Sequence, residues 1–227
     1  MSDLGFFGRT LVIAPHPDDE VLGAGGTMAR LADAGHEVVV AVVTTGRPPA
    51  YSEESVTRTR DEARRAHDHL GVKGTRWLDQ PAAELFETPH SQVNTAIGSI
   101  VREVAPTTLL IPFLGDIHID HQLIFMSSMV AARPHQAEFP KHVLAYETLS
   151  ETNWNAPYLT PGFQPNLFVE IESTLDRKLE AMKMFESQAR EAPHERSLEA
   201  LRALAVMRGA TVHRAAAEAF VLIRRLL

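Results

Sequence analysis

The amino-acid sequence predicts an α/β fold: a mostly parallel sheet with helices on both faces, followed by a helical C-terminal region. Two observations predict it. Strand-like and helix-like segments alternate through the first two thirds of the chain, the order that parallel crossovers require. The run "HEVVVAVVTTG" (36–46) is rich in β-branched residues throughout, as in a strand covered on both faces.

Each element has a local reason. "TLVIAP" (10–15) reads as a short buried strand that Pro15 ends. "EVLGAGGTMARLADAG" (20–35) reads as a helix whose small residues allow close packing and whose stop is Gly35. After the strand at 36–46, "RPPAYSEE" is a loop, and residues 55–71 form a helix with Ser55 as N-cap and Gly71 as stop. "TRWLD" (75–79) is a short strand, 91–106 a helix ended by Pro106, and "TTLLIPF" (107–113) another buried strand. "LGDIHIDHQ" (114–122) interrupts before a helix over 123–133. Residues 142–148 and 166–171 read as strands separated by a loop rich in Pro and Asn. From 173 onward the chain reads as helix, broken near "EAPHE" and "MRGA". No repeat or linker divides it, so residues 1–227 are expected to form a single Rossmann-like domain.

Composition narrows the function. The 227 residues are 44% hydrophobic and 22% charged, ordinary for a globular protein with a substantial core. A net charge of −7 without any long basic run argues against nucleic acid as the main partner. There is no cysteine, which excludes disulfides and thiolate metal sites. "MSDLGFFGRTLVIAP" lacks the basic and apolar regions of a secretory signal, and no apolar run approaches membrane-spanning length. The expectation is a cytoplasmic protein with a small-molecule substrate and no membrane partner; homo-oligomerisation is left open.

In a parallel sheet, ligands bind at the carboxyl ends of the strands. "HPDDE" follows the first strand directly, and "GDIHIDHQ" follows the strand at 107–113. Both therefore fall on one rim, bringing His16, Asp18, Asp19, His118, Asp120 and His121 into one crevice. Three adjacent acids repel one another, and a divalent cation would stabilise them while taking neutral imidazoles as ligands. Nitrogen and oxygen ligands without sulfur suit Zn2+, or else Fe2+ or Mn2+. Two histidines and one carboxylate leave a coordination position open for water. A second carboxylate there serves as general base, and a further histidine as acid or oxyanion stabiliser. Against this stands the reading of "DDE" as ordinary helix capping and "HIDH" as a polar loop.

"PHPDDE" after a first strand, paired with "HIDH" downstream, resembles the zinc-dependent N-acetylglucosaminyl deacetylase family (PIG-L/LmbE-like). That family includes deacetylases of glycosylphosphatidylinositol, mycothiol and bacillithiol synthesis and some antibiotic-tailoring enzymes. "LGAGGTMARL", "RDEARRAHDHLGV" and "AEAF" (217–220) extend the resemblance over most of the chain, with 133–165 matching least. It implies a hydrolase that removes an acetyl group from the amide nitrogen of an N-acetylglucosamine-like sugar or conjugate. It implies His16, Asp19 and His121 as zinc ligands and Asp18 as the general base. His118 would stabilise the oxyanion or protonate the leaving amine, and Asp120 would orient His118. An arginine near Arg60 would contact substrate; Arg58, Arg64 and Arg65 are close enough to leave that assignment open.

Other features weigh less. "GAGG" (23–26) departs from a dinucleotide fingerprint at Met28 and reads as close helix–sheet packing. Thr44, Thr45 and Gly46 end a strand on the active rim. His67 and His69 point in different directions on one helix and are not expected to share a metal. Specificity is expected in loops 47–56, 79–90 and 149–166. Two other functions compete. An Fe(II) oxygenase would use His16, Asp18 and His121 as a 2-His-1-carboxylate site. A sugar-binding protein without catalysis would need neither Asp18 nor His118.

Overall fold

The computed structural model describes residues 3–227. Seven strands form one sheet, β1 (Thr10–Ala14), β2 (Val38–Thr45), β3 (Gly74–Pro81), β4 (Thr108–Ile111), β5 (His142–Tyr146), β6 (Leu167–Glu170) and β7 (Ala217–Arg225), in the order β3-β2-β1-β4-β5-β7-β6. The strands from β3 to β5 are mutually parallel, and β7 runs antiparallel to both of its neighbours. The helices are α1 (Asp19–Asp33), α2 (Glu53–Leu70), α3 (His90–Val104), α4 (Ile119–Ala131), α5 (Leu175–Lys183) and α6 (Leu198–Thr211). Helices α1, α2 and α5 pack together on one face, and α3 pairs with α4 on the other. Among the described residues, no helix is long and apolar enough to cross a membrane.

The sheet runs outward from β1 in both directions, to β2 on one side and β4 on the other. This reversal opens a crevice at the carboxyl ends of β1 and β4, the place where such sheets bind ligands. Every residue of β1 is buried, and its last, Ala14, delivers the chain through Pro15 into His16.

Small residues let α1 lie close against its neighbours. A Cβ on Gly26 would sit 2.8 Å from Ile171, and one on Gly23 would enter the Tyr146 ring. The "GAGG" stretch is thus a packing device. Helix α2 starts earlier than its sequence indicates. Ser52 is the N-cap, its hydroxyl accepting from the Ser55 N–H, and Gly71 closes the helix at φ 81° as expected.

The C-terminal helical region needs correction. After α6 the chain is not helix but β7, inserted between β5 and β6 with Leu222 opposite Leu144 and Phe220 opposite both Tyr146 and Leu167. "AFVLI" is a short apolar run of a kind that periodicity assigns to strand or helix equally, and pairing on both edges decides it. Gly209 makes the return tight, because a Cβ there would lie 2.7 Å from the Ala216 backbone.

Candidate metal centre

All six residues expected on the rim meet in the crevice. Asp19 is fully buried at the first turn of α1, and Oδ2 lies 3.2 Å from both His16 Nδ1 and His121 Nε2. The two ring nitrogens are 3.3 Å apart. Second partners fix the tautomers. His16 Nε2 donates to Asp120 Oδ2 at 3.1 Å, and His121 Nδ1 donates to Asp116 Oδ2 at 2.8 Å. In its neutral form each imidazole therefore turns a bare lone pair toward the Asp19 carboxylate. Three acceptors face one another, and Asp19 Oδ1 is buried without any hydrogen-bond partner. Only a cation or a shared proton reconciles them. Tetrahedral ligands about 2.1 Å from a zinc ion lie about 3.4 Å apart, so this donor set fits such an ion.

The charge balance agrees. Burial alone depresses His16, but its hydrogen bonds to Asp120 and Asp19 more than reverse this and lift it to about 9. Burial also opposes ionisation of Asp19, yet His121 and His16 hold it well below the usual carboxylate range. His121 is raised well above its ordinary value, against its own burial, by Asp19 and Asp116. The metal-free cluster thus holds protons where a cation would sit.

Asp18 is turned away from this trio. Its carboxylate Oδ2 is 3.0 Å from Arg196 Nη1. Burial pushes its pKa up to about 8, with Arg196 opposing. Its backbone sits at φ 121°, ψ −28°, a conformation that L residues rarely adopt and that gathers at functional sites. Asp18 makes no side-chain cap to α1, so plain capping does not account for it. Glu20, the third acid, accepts from the Asp18 N–H at 3.2 Å and pairs with buried His67 at 2.8 Å. The three adjacent acids therefore have three separate partners: Arg196, the two site histidines, and His67.

"HIDH" is not a loop. It is the first turn of α4, with His118 as N-cap, its Nδ1 accepting from the Asp120 N–H at 3.1 Å. This corrects the role expected of Asp120. Its carboxylate serves His16 and the Ala83 N–H, and lies 4.0 Å from His118 Nδ1. His118 is consequently not made basic: burial and neighbouring His16 push it down to about 4. A neutral ring that accepts at Nδ1 carries its hydrogen on Nε2.

A cavity of about 320 Å³ opens over these groups, lined among others by His16, Asp18, His118, Trp77, Glu151 and Arg196. A family profile described as PIG-L, GlcNAc-PI de-N-acetylase, matches residues 11–132, which hold every residue of the candidate metal cluster. The chain belongs to the PIG-L family. It is 30% identical over 191 residues to the diacetylchitobiose deacetylase of Thermococcus kodakarensis, covering 79% of this chain and 70% of that protein. It is 31% identical over 186 residues to an uncharacterized deacetylase, YaiS, of Escherichia coli, covering 78% and 90%. The fold matches that of a conserved protein from Thermus thermophilus, with TM-score 0.79, 24% identity and 96% of each chain covered.

Within this PIG-L chain, Arg60 lines the same cavity. Its guanidinium pairs with Asp79, donates to Thr45 Oγ1 at 2.9 Å and stacks 4.7 Å above Trp77. Thr44, Thr45 and Gly46 line the cavity as well, as do Tyr51 and Ser55 from the first expected specificity loop. The oxygenase reading fails here, because it needs Asp18 beside the two histidines and Asp19 stands there instead. Two residues escaped the sequence reading. Asp116 lies within the quoted motif, five residues before His121, and its carboxylate is the kind of partner a ligating histidine requires. Arg196 comes from an irregular segment with no signature, 178 residues from Asp18.

Proposed function

We propose that the protein is a Zn2+-dependent N-deacetylase that hydrolyses the acetamide of an N-acetylglucosamine-like sugar or conjugate. The carrying observation is the convergence of two lone-pair-bearing histidines on buried Asp19, with a second carboxylate, Asp18, held apart beside the cavity. His16, Asp19 and His121 would hold the ion. When bound, zinc supplies Lewis acidity and lowers the pKa of water to about 7. Family membership and the deacetylase names of the relatives support the same chemistry.

The chain's own residues account for the proton inventory. Asp18 takes a proton from the attacking water as general base. His118, neutral with its hydrogen on Nε2, donates a hydrogen bond to the carbonyl oxygen as negative charge develops. The departing nitrogen then needs a proton. Asp18 holds the one it took from the water, and His118 is already engaged at the carbonyl oxygen, so Asp18 delivers it. Acetate and a free amine leave. Arg60, stacked on Trp77 at the cavity wall, would meet the sugar.

The test is acetate release by zinc-loaded protein from N-acetylglucosamine, N,N′-diacetylchitobiose and related conjugates. One acetate per free amine is expected. No acetate from any of them would overturn the reading.

A further inference from the structure

Arg196 reaches the site from outside the metal cluster and from outside the family match at 11–132. It lies in the irregular segment between α5 and α6, and its side chain is only 21% exposed. Its guanidinium spreads over four partners. Nη1 meets Asp18 Oδ2 at 3.0 Å and Gln188 Oε1 at 3.3 Å, Nε donates to Ser150 Oγ at 3.0 Å, and Nη2 faces Glu151 Oε1 at 3.5 Å. Ser150 and Glu151 follow β5, whereas Gln188 belongs to the arginine's own segment. The fork thus anchors the general-base carboxylate to two walls of the cavity.

Such an anchor has a specific job. The Asp18 backbone is in a rarely populated conformation, and a carboxylate on that turn has no capping bond to fix its rotamer. Left alone, it would swing toward the cation beside it. We propose that Arg196 is the positioning residue for the base: it binds Asp18 Oδ2, leaving Oδ1 for the proton, and holds the carboxylate off the metal position. This rests on the reading of Asp18 as general base. The planar, permanently charged fork suits the task, since lysine offers a point charge without a second direction.

The experiment compares Arg196→Met and Arg196→Lys in zinc-loaded protein, alone and combined with Asp18→Asn. Acetate release from N,N′-diacetylchitobiose and zinc content are measured on each preparation. Arg196→Met is expected to lower kcat about 10²-fold, as a misplacement near 1 Å does. KM should change little and zinc content should stay at the wild-type level. Arg196→Lys should recover part of kcat. In the Asp18→Asn background Arg196→Met should cost almost nothing more, because residues acting as a unit are not additive. Full additivity, a rise in KM at unchanged kcat, or zinc loss in proportion to activity would each overturn the proposal. If Arg196→Met fails to fold, the Lys variant decides: unchanged kcat there, or a kcat loss that adds in full to that of Asp18→Asn, overturns it, and a partial kcat loss at full zinc content and without that additivity supports it. A wild-type protein that releases no acetate would overturn the deacetylase reading, and the proposal with it.

Discussion

At the residue scale, two aspartates side by side do different work because their surroundings differ. Asp19 faces two imidazole lone pairs, whereas Asp18 faces a guanidinium. Asp18→Asn keeps the shape and removes the proton acceptor. It is expected to retain one zinc per chain and to lose about 10²–10⁴-fold in turnover, read as zinc content and acetate release on the same sample. The proposed ligands His16 and His121 have carboxylate partners that would act through the metal instead. Asp116→Asn and Asp120→Asn should each weaken zinc about 10–100-fold, checked by competition with a chelator. If Asp120 acted on His118, its loss would spare zinc affinity. The clustering of His16, Asp19 and His121 was legible in the sequence because it is local to two strand ends. The destination of the Asp120 carboxylate was not, because two residues in the sequence compete for it and only the start of α4 decides which one wins.

At the element scale, the strands β1, β2, β4 and β5 were readable from continuous apolar runs, and α1 to α3 from their stops at Gly35, Gly71 and Pro106. Strand β7 was not, since "AEAFVLIRR" takes its form from the neighbours on both sides. Its Glu218 explains why the segment is there. The carboxylate accepts from the N–H groups of Gly26 and Thr27 at 2.9 and 2.7 Å and pairs with buried Lys178 at 2.6 Å. One acid thereby joins β7, α1 and α5 behind the metal loop. Glu218→Ala would leave a buried ammonium unpaired and is expected to destabilise the fold by about 3–5 kcal/mol. Chemical denaturation measures it, and a change below about 1 kcal/mol would show that the pair is dispensable. Nothing in the sequence marks this partnership, which spans 40 residues to Lys178 and over 190 to α1.

At the scale of the whole molecule, the sheet's reversal at β1 and β4 gathers the acids and histidines into one protonated cluster, and stability responds to pH accordingly. His16 rises from 6.5 to about 9 on folding, so its contribution is full below about 6.5 and is lost as pH climbs through 9. Asp18, raised to about 8, favours its protonated form in the fold and costs stability as pH rises from 3.8 toward 8. Both act in one direction between about 6.5 and 8, and His16 alone carries the loss on to about 9. Metal-free protein should lose thermal stability across that window, and the increase in Tm on adding zinc should grow, because each proton displaced makes binding about tenfold tighter per pH unit. A metal-free Tm that rises with pH there would contradict the charge assignment.

The account turns on where the ion sits, and anomalous diffraction at the zinc edge from zinc-soaked crystals locates it directly. One peak is predicted, about 2.0–2.2 Å from His16 Nδ1, Asp19 Oδ2 and His121 Nε2, with the Asp18 carboxylate still on Arg196. A peak held by Asp18, or one on His118 and Asp120 with the Asp19 trio empty, would contradict it.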